Sequence, residues 1–244
     1  VGRRLGQHFL RSQTILERIA TAALPQPADL VIEIGPGRGA LTDHLLRRAA
    51  RVIAIEVDPV MIAYLRLKYR EHPLEIVDAD VLKTDLAQWG PAPIAGNLPY
   101  YITSPILEKV LSLSPPAPLA VFLVQREVAE RVIASPGSRD YGYLSVMSQL
   151  RACCEYLFTV SRSAFSPPPK VESAVLRLTP RVPEVDPEKF LRFASLCFQQ
   201  KRKTLRNNLK ERYDPARVEE LAGPKARAEE FSLEQLLALY RNLS

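Results

Sequence analysis

The chain has 244 residues, 47% of them apolar and 25% charged. That length and composition support one large buried core with room for a small second domain, and they exclude a tail or a linker. Lysine and arginine outnumber aspartate and glutamate by 33 to 27, a mild basic excess that points to a polyanionic partner only where the basic residues cluster.

One basic cluster comes first, with Arg3, Arg4 and Arg11. The opening "VGRRLGQHFL" lacks the apolar centre of a signal peptide, and no later stretch reaches the roughly 18 apolar residues of a bilayer span. The expectation is therefore a soluble, cytoplasmic protein with no membrane partner. "SQTILERIATAAL" follows, with Ser12 as N-cap and apolar residues at helical spacing, so a first helix is expected.

From Leu30 the texture changes. Short apolar runs alternate with amphipathic stretches through "LVIEIGPGRGALTDHLLRRAARVIAIEVDPVMIAYLRLKY", the pattern of a parallel sheet with covering helices. Further strands fit "LEIVDAD", "APIAGN" and "LAVFLV", each followed by a helix, giving a doubly wound α/β domain. "CEYLFTVSRSAF" and "KVESAVLRLTP" flank three prolines, Pro167 to Pro169, and read as a hairpin added at the sheet edge.

"TPRVPEVDPE" then carries three prolines in a short polar span that neither a helix nor a central strand tolerates. The domain boundary is placed there, with residues 1–180 as the sheet domain and 181–244 as a small all-helical domain. The second domain holds the stronger basic cluster: in "KRKTLRNNLKER", six of twelve residues are basic, among them Lys201, Arg202, Lys203 and Arg206. Such a cluster fits the phosphates of a nucleic acid, although a solvated helix face has the same composition.

The chemistry concentrates at strand ends. "VIEIGPGRG" sets Gly35, Gly37 and Gly39 between a strand and a helix, where a backbone without side chains can lie against a ligand and offer free N–H donors. Glu56 ends the next strand, about twenty residues on, where a carboxylate can accept both hydroxyls of a ribose. Asp80 lies at the end of the strand after that, with Val81 behind it, and can accept from an exocyclic amine of a base. Glu33 sits at the turn itself.

A nicotinamide dinucleotide favours the spacing G-x-G-x-x-G with pyrophosphate on the helix N-terminus, whereas this turn reads G-P-G-R-G with an acid ahead of it. S-adenosylmethionine has no phosphate and carries an ammonium that Glu33 can hold, directly or through water. The acids favour that cofactor.

"GNLPYY" ends the fourth strand, which puts Asn97 beside the same crevice. An adenine amino group is a poor nucleophile because the ring shares its lone pair. Its methylation needs acceptors that hold the N–H groups and leave the nitrogen pyramidal. The Asn97 side-chain oxygen and the Leu98 carbonyl can be those acceptors, with Pro99 restricting the backbone and Tyr100 stacking on the base.

Other residues read as structure. His44 and His72 stand at no metal-ligand or triad spacing, and Cys153, Cys154 and Cys197 form neither a disulfide framework nor a metal site, so no metal is expected. Cys197 falls on an apolar helix face, and Trp89 packs a loop.

In order along the chain, "GQHFL", "EIGPGRG", "IEVD", "DAD", "GNLPYYIT", "AFSPPPKVESAV" and "KRKTLRNNL" resemble the motifs of the ribosomal RNA adenine N6,N6-dimethyltransferase family, and most closely its bacterial small-subunit (16S) branch. The resemblance covers the whole chain. It implies a Rossmann-like, S-adenosylmethionine-dependent methyltransferase sheet with a helical RNA-binding tail. It places the cofactor on His8, Leu10, Gly35, Glu56, Asp80 and Asn97. The catalytic loop is then Asn97, Leu98, Pro99 and Tyr100, with Phe165 covering the base from the other side. Many relatives have asparagine where this chain has His8.

The implied substrate is a pair of adjacent adenines in a hairpin near the 3′ end of small-subunit RNA, within the 30S subunit or its precursor, each receiving two methyls. Lys170, after the three prolines, can reach phosphate or only solvent. Monomer is the default expectation. Two alternatives stay open: a large-subunit RNA methyltransferase of the antibiotic-resistance type, and an RNA-binding assembly or transcription factor that keeps the fold without catalysis.

Overall fold

A computed structural model describes residues 8–243. In chain order its elements are β1 (Phe9–Leu10), α1 (Gln13–Ala23), β2 (Ala28–Ile34), α2 (Thr42–Leu45), β3 (Ala49–Glu56), α3 (Pro59–Lys68), β4 (Leu74–Asp78), β5 (Ile94–Asn97), α4 (Thr103–Leu111), β6 (Ala120–Gln125) and α5 (Arg126–Ile133). There follow α6 (Tyr143–Arg151), β7 (Ala152–Val160), β8 (Phe165–Ser166), β9 (Ser173–Pro180), α7 (Pro187–Cys197), α8 (Leu205–Leu209), α9 (Pro215–Ala222) and α10 (Leu233–Leu243).

Seven strands form one sheet in the order β4-β3-β2-β5-β6-β9-β7. From β4 to β6 every pairing is parallel, and β9 joins β6 antiparallel. This is the expected Rossmann-like sheet. The chain leaves β2 for β3 and β4 on one side and returns to β5 on the other, so a crevice opens where the order reverses, at the carboxyl ends of β2 and β5. Val31, Ile32, Val52, Ile53, Phe122 and Leu123 are buried at the sheet, as expected for parallel strands covered on both faces.

Three helices share one N-cap dipeptide. Asp58, Asp186 and Asp214 each accept backbone N–H groups of the helix that follows, and each precedes a proline that opens it. Ser12 also precedes its helix but makes no side-chain cap bond. After β4 the expected helix is only a 3₁₀ turn over Leu86–Trp89, closed by Gly90 at φ 79°. The hairpin expected around Pro167 to Pro169 is interrupted as well. Between β7 and β9 the chain forms β8, which pairs antiparallel with β1 through Phe9 and Ser166 and through Leu10 and Phe165.

The chain divides into two compact units, and their boundaries differ from the expected cut at 180 and 181. The sheet unit runs to Ala129 and resumes over Cys154–Pro180; the helical unit takes Glu130–Cys153 as well as the chain from Arg181 on. Residues 130–153 had read as sheet-covering helix because their apolar face has the same period whichever core receives it. Within the helical unit they are tied by Arg151, which donates to Glu188 at 2.5 Å, and by Gly137, whose N–H donates to the Glu229 carbonyl at 2.7 Å.

The helical unit has its own aromatic core. Phe190 and Phe193 are buried, with Tyr240 edge-on to Phe190 at 5.6 Å and Tyr213 edge-on to Phe193 at 5.7 Å. Cys197 lies in this core, and burial pushes its thiol pKa up, in keeping with a packing role.

In the sheet unit, buried His44 meets the Glu17 carboxylate at 2.7 Å through Nδ1 and Gln13 Oε1 at 3.0 Å through Nε2, a tie between α1 and α2. Among the described residues no helix is long and apolar enough to cross a membrane, and no group of three or more His, Cys, Asp or Glu is arranged to hold a metal ion.

Candidate active site

A cleft of the sheet unit opens at the crevice between β2 and β5, and the ends of β2 to β5 supply its polar groups. The glycine turn after β2 has left-handed φ at Gly35, Gly37 and Gly39 (68°, 56° and 76°). At Gly39 a side chain is also sterically barred: a Cβ would lie 2.3 Å from the Tyr69 hydroxyl oxygen, which bonds to the Gly39 carbonyl at 2.7 Å.

The expected free donors of this turn are already used. Gly35 N–H donates to the Ile55 carbonyl at 3.0 Å, Gly37 N–H to Glu56 Oε2 at 3.1 Å and Gly39 N–H to the Pro36 carbonyl at 2.8 Å. The turn therefore shapes a wall for a ligand, while its glycine amides hold the turn together. The helix behind it, α2, has only four residues.

The acids sit as their strand positions imply, with different capacities. Glu33 is only 1% exposed, and among the described residues its one hydrogen bond comes from the Thr42 hydroxyl at 2.6 Å. Burial pushes its pKa up to about 8, with the Asp43 and Glu56 carboxylates adding to the rise and the Thr42 bond opposing it.

Glu56 is more heavily engaged. Oε1 accepts from Val57 N–H (2.9 Å) and Asp58 N–H (3.0 Å), and Oε2 from Gly37 N–H. Of about four lone-pair sites on a carboxylate, the partners among the described residues take three, and one on Oε2 is left. Asp80 uses Oδ1 to accept from Leu82 N–H at 2.9 Å, a local turn that holds the carboxylate at the cleft wall beside buried Val81.

Asn97 ends β5 because Gly96 lets the strand run close to β2. A Cβ at Gly96 would stand 2.5 Å from the Ile34 carbonyl oxygen. The Asn97 amide nitrogen donates to the His8 carbonyl at 3.3 Å, which fixes the amide's orientation and leaves its oxygen without a partner among the described residues. The Leu98 N–H is held by the Leu123 carbonyl at 3.0 Å, while the Leu98 carbonyl accepts no hydrogen bond among the described residues. Pro99, at φ −60° and ψ 129°, turns the chain into a 3₁₀ helix over Tyr100–Ile102, and its carbonyl accepts from Ile102 N–H and the Thr103 hydroxyl.

Tyr100 is a fixed wall. Its hydroxyl pairs with the Ser173 hydroxyl at 2.8 Å, its ring is stacked with that of His8 at 5.9 Å between centroids, and burial raises its pKa. His8 Nδ1 in turn donates to the Pro167 carbonyl at 2.9 Å. His8 thus braces the loop through ring and carbonyl alike, and Leu10 lines the cleft near it.

Phe165 is not where the resemblance put it. It is 5% exposed and belongs to the buried cluster of Leu10, Leu16 and Val175, because the pairing of β8 with β1 turns it into the core, and it does not line the cleft. Sequence reading left out Phe9, Arg38, Val57 and Tyr101, all of which line the cleft. The Arg38 guanidinium sits 4.8 Å from the Phe9 ring centroid, a pairing that the R of "GPGRG" could have signalled.

The family model described as ribosomal RNA adenine dimethylase matches residues 2–244. The chain belongs to this family. The ribosomal RNA small subunit methyltransferase A of Acidobacterium capsulatum is 48% identical over 98% of this chain and 90% of its own length. That of Koribacter versatilis is 44% identical over 98% and 93%. Among solved structures, a dimethyladenosine transferase from Plasmodium falciparum superposes with a TM-score of 0.82 at 29% identity, covering 95% of this chain and 96% of its own. The 23S rRNA methyltransferase ErmE superposes with a TM-score of 0.75 at 32% identity, covering 96% and 99%.

The basic residues assigned to RNA divide by what already holds them. Arg3 and Arg4 lie outside the described residues. Arg11 and Lys170 are exposed on the sheet unit. In the helical unit Lys201 donates to the Arg139 carbonyl and stands 3.7 Å from Glu229, and Arg206 meets Glu219 at 3.0 Å. Arg202 and Lys203 are exposed with no side-chain partner among the described residues.

Proposed function

We propose that this rRNA adenine dimethylase family member methylates N6 of two adjacent adenines in a 3′-terminal hairpin of small-subunit rRNA, producing dimethyladenosines. It acts in the cytoplasm as a monomer, without a metal, on the 30S subunit or its precursor. The observation that carries this reading is the pair of oxygens at the end of β5 that have no partner among the described residues, Asn97 Oδ1 and the Leu98 carbonyl, on a loop fixed from both sides.

The residues present fit S-adenosylmethionine. Side chains are excluded at the glycine turn, and the turn's glycine amides are consumed internally, which suits a ligand without phosphate. Glu33 is a buried carboxylate with one neutral donor and suits an ammonium. The remaining Oε2 site of Glu56 meets a ribose hydroxyl, and Asp80 the exocyclic amine of the cofactor's base. Bound there, S-adenosylmethionine supplies an electrophilic methyl carbon.

Asn97 Oδ1 and the Leu98 carbonyl accept the two N–H groups of the target amine, which turns its lone pair away from them. After the first transfer only one N–H remains, so the second transfer proceeds with one of the two acceptors unused. Tyr100 closes one side of the base pocket.

The test is transfer of labelled methyl groups to unmethylated small and large subunits, with nucleoside analysis of the product. Dimethyladenosine in small-subunit RNA is expected. Label confined to large-subunit RNA would support the alternative represented by ErmE, and absence of transfer with RNA binding intact would support a non-catalytic factor.

A further inference from the structure

Tyr100 and Tyr101 are consecutive, yet the structure treats them oppositely. Tyr100 is anchored by Ser173 and His8. Tyr101 is 63% exposed at the rim of the same cleft, and its ring and hydroxyl have no partner among the described residues. An isolated exposed tyrosine on a protein surface needs no explanation. This one stands on a backbone held by the Ile102 N–H and the Thr103 hydroxyl, both bonded to the Pro99 carbonyl at 3.2 and 3.1 Å. A ring on so constrained a support loses little freedom when a flat partner settles on it.

Both residues lie in one 3₁₀ helix, Tyr100–Ile102. Such a helix turns about 120° per residue, so the two rings project in different directions and cannot stack on the same base. Tyr100 faces the pocket behind Asn97. Tyr101 addresses whatever lies at its entrance. We propose that Tyr101 is a positioning residue that stacks on the unpaired nucleobase next to the target adenine, holding the strand while the target base occupies the pocket.

This inference rests on the function proposed above. Stacking of a base on an aromatic side chain contributes on the order of 1–3 kcal/mol, a factor of roughly 5 to 150 in affinity. The experiment compares wild type with Tyr101→Ala, Tyr101→Phe and Tyr101→Trp in steady-state methylation of unmethylated small subunits at saturating S-adenosylmethionine. Each protein is also titrated with S-adenosylhomocysteine.

Tyr101→Ala is expected to raise KM for the subunit at least about fivefold, with kcat within about twofold of wild type and unchanged S-adenosylhomocysteine affinity. Phe and Trp are expected to restore KM. A KM unchanged by the alanine variant, or not rescued by Phe and Trp, overturns the assignment of Tyr101 alone. A wild-type protein that binds S-adenosylhomocysteine but methylates no adenine overturns the functional reading beneath it.

Discussion

Glu33 gives the account a sharp electrostatic test. Its carboxyl is 1% exposed, has one neutral donor, and has the carboxylates Asp43 and Glu56 among its neighbours, so its pKa in the folded, ligand-free protein is pushed up to about 8 from 4.5. Between those two values the unfolded chain has released this proton while the folded chain keeps it. The folded state therefore binds more protons, and the contribution of Glu33 to stability falls as pH rises from about 4.5 to about 8. At about 1.4 kcal/mol per pKa unit, the loss over that window is on the order of 5 kcal/mol.

Glu33→Gln keeps the shape and an oxygen for Thr42 but cannot ionise. Denaturant midpoints of the ligand-free proteins, measured from pH 5 to 9, should show the variant gaining on wild type through this window and holding its advantage above about pH 8. Parallel curves for the two proteins would refute the reasoning, since they would mean that the carboxyl ionises at its ordinary pKa inside the fold.

Other perturbations read different parts of the site. Asn97→Ala should reduce methyl transfer at least a hundredfold while S-adenosylhomocysteine affinity, measured by calorimetry, changes less than tenfold; equal activity of variant and wild type would remove the loop from the reaction. Gly96→Ala drives a Cβ to 2.5 Å from the Ile34 carbonyl oxygen, which must separate β5 from β2. The variant should lose about 1–3 kcal/mol in denaturant titration, as overpacked sites do, and lose activity with it. Reversing the charges of Arg202 and Lys203 should weaken RNA binding and reduce the slope of log affinity against log salt by about 2, whereas an unchanged slope would take both residues off the phosphates.

Much of this architecture was legible in the sequence because the physics is local. The alternation of apolar runs with helical faces specified the parallel sheet. Glu56 and Asn97 end β3 and β5 as expected, while Glu33 lies one residue inside the end of β2 and Asp80 two residues beyond the end of β4.

What escaped depends on partners remote in sequence. That the glycine amides were already bonded could not be read from "GPGRG", since their acceptors include Ile55 and Glu56 on another strand. Phe165 was expected over the base, but the pairing of Leu10 with Phe165, far apart in the chain, turns it into the core. The membership of residues 130–153 in the helical unit is likewise invisible to periodicity, which reports an apolar face without saying which core receives it. That Tyr100 is tied down and Tyr101 exposed could not be read from "PYY" either, since the partners of Tyr100, Ser173 and His8, are remote in sequence.

The most direct test is a crystal structure of the protein with S-adenosylhomocysteine and an adenine-bearing RNA strand. It should place the target N6 within about 2.7–3.2 Å of both Asn97 Oδ1 and the Leu98 carbonyl oxygen. An N6 bonded to neither oxygen, with the adenine seated elsewhere in the cleft, would contradict the account.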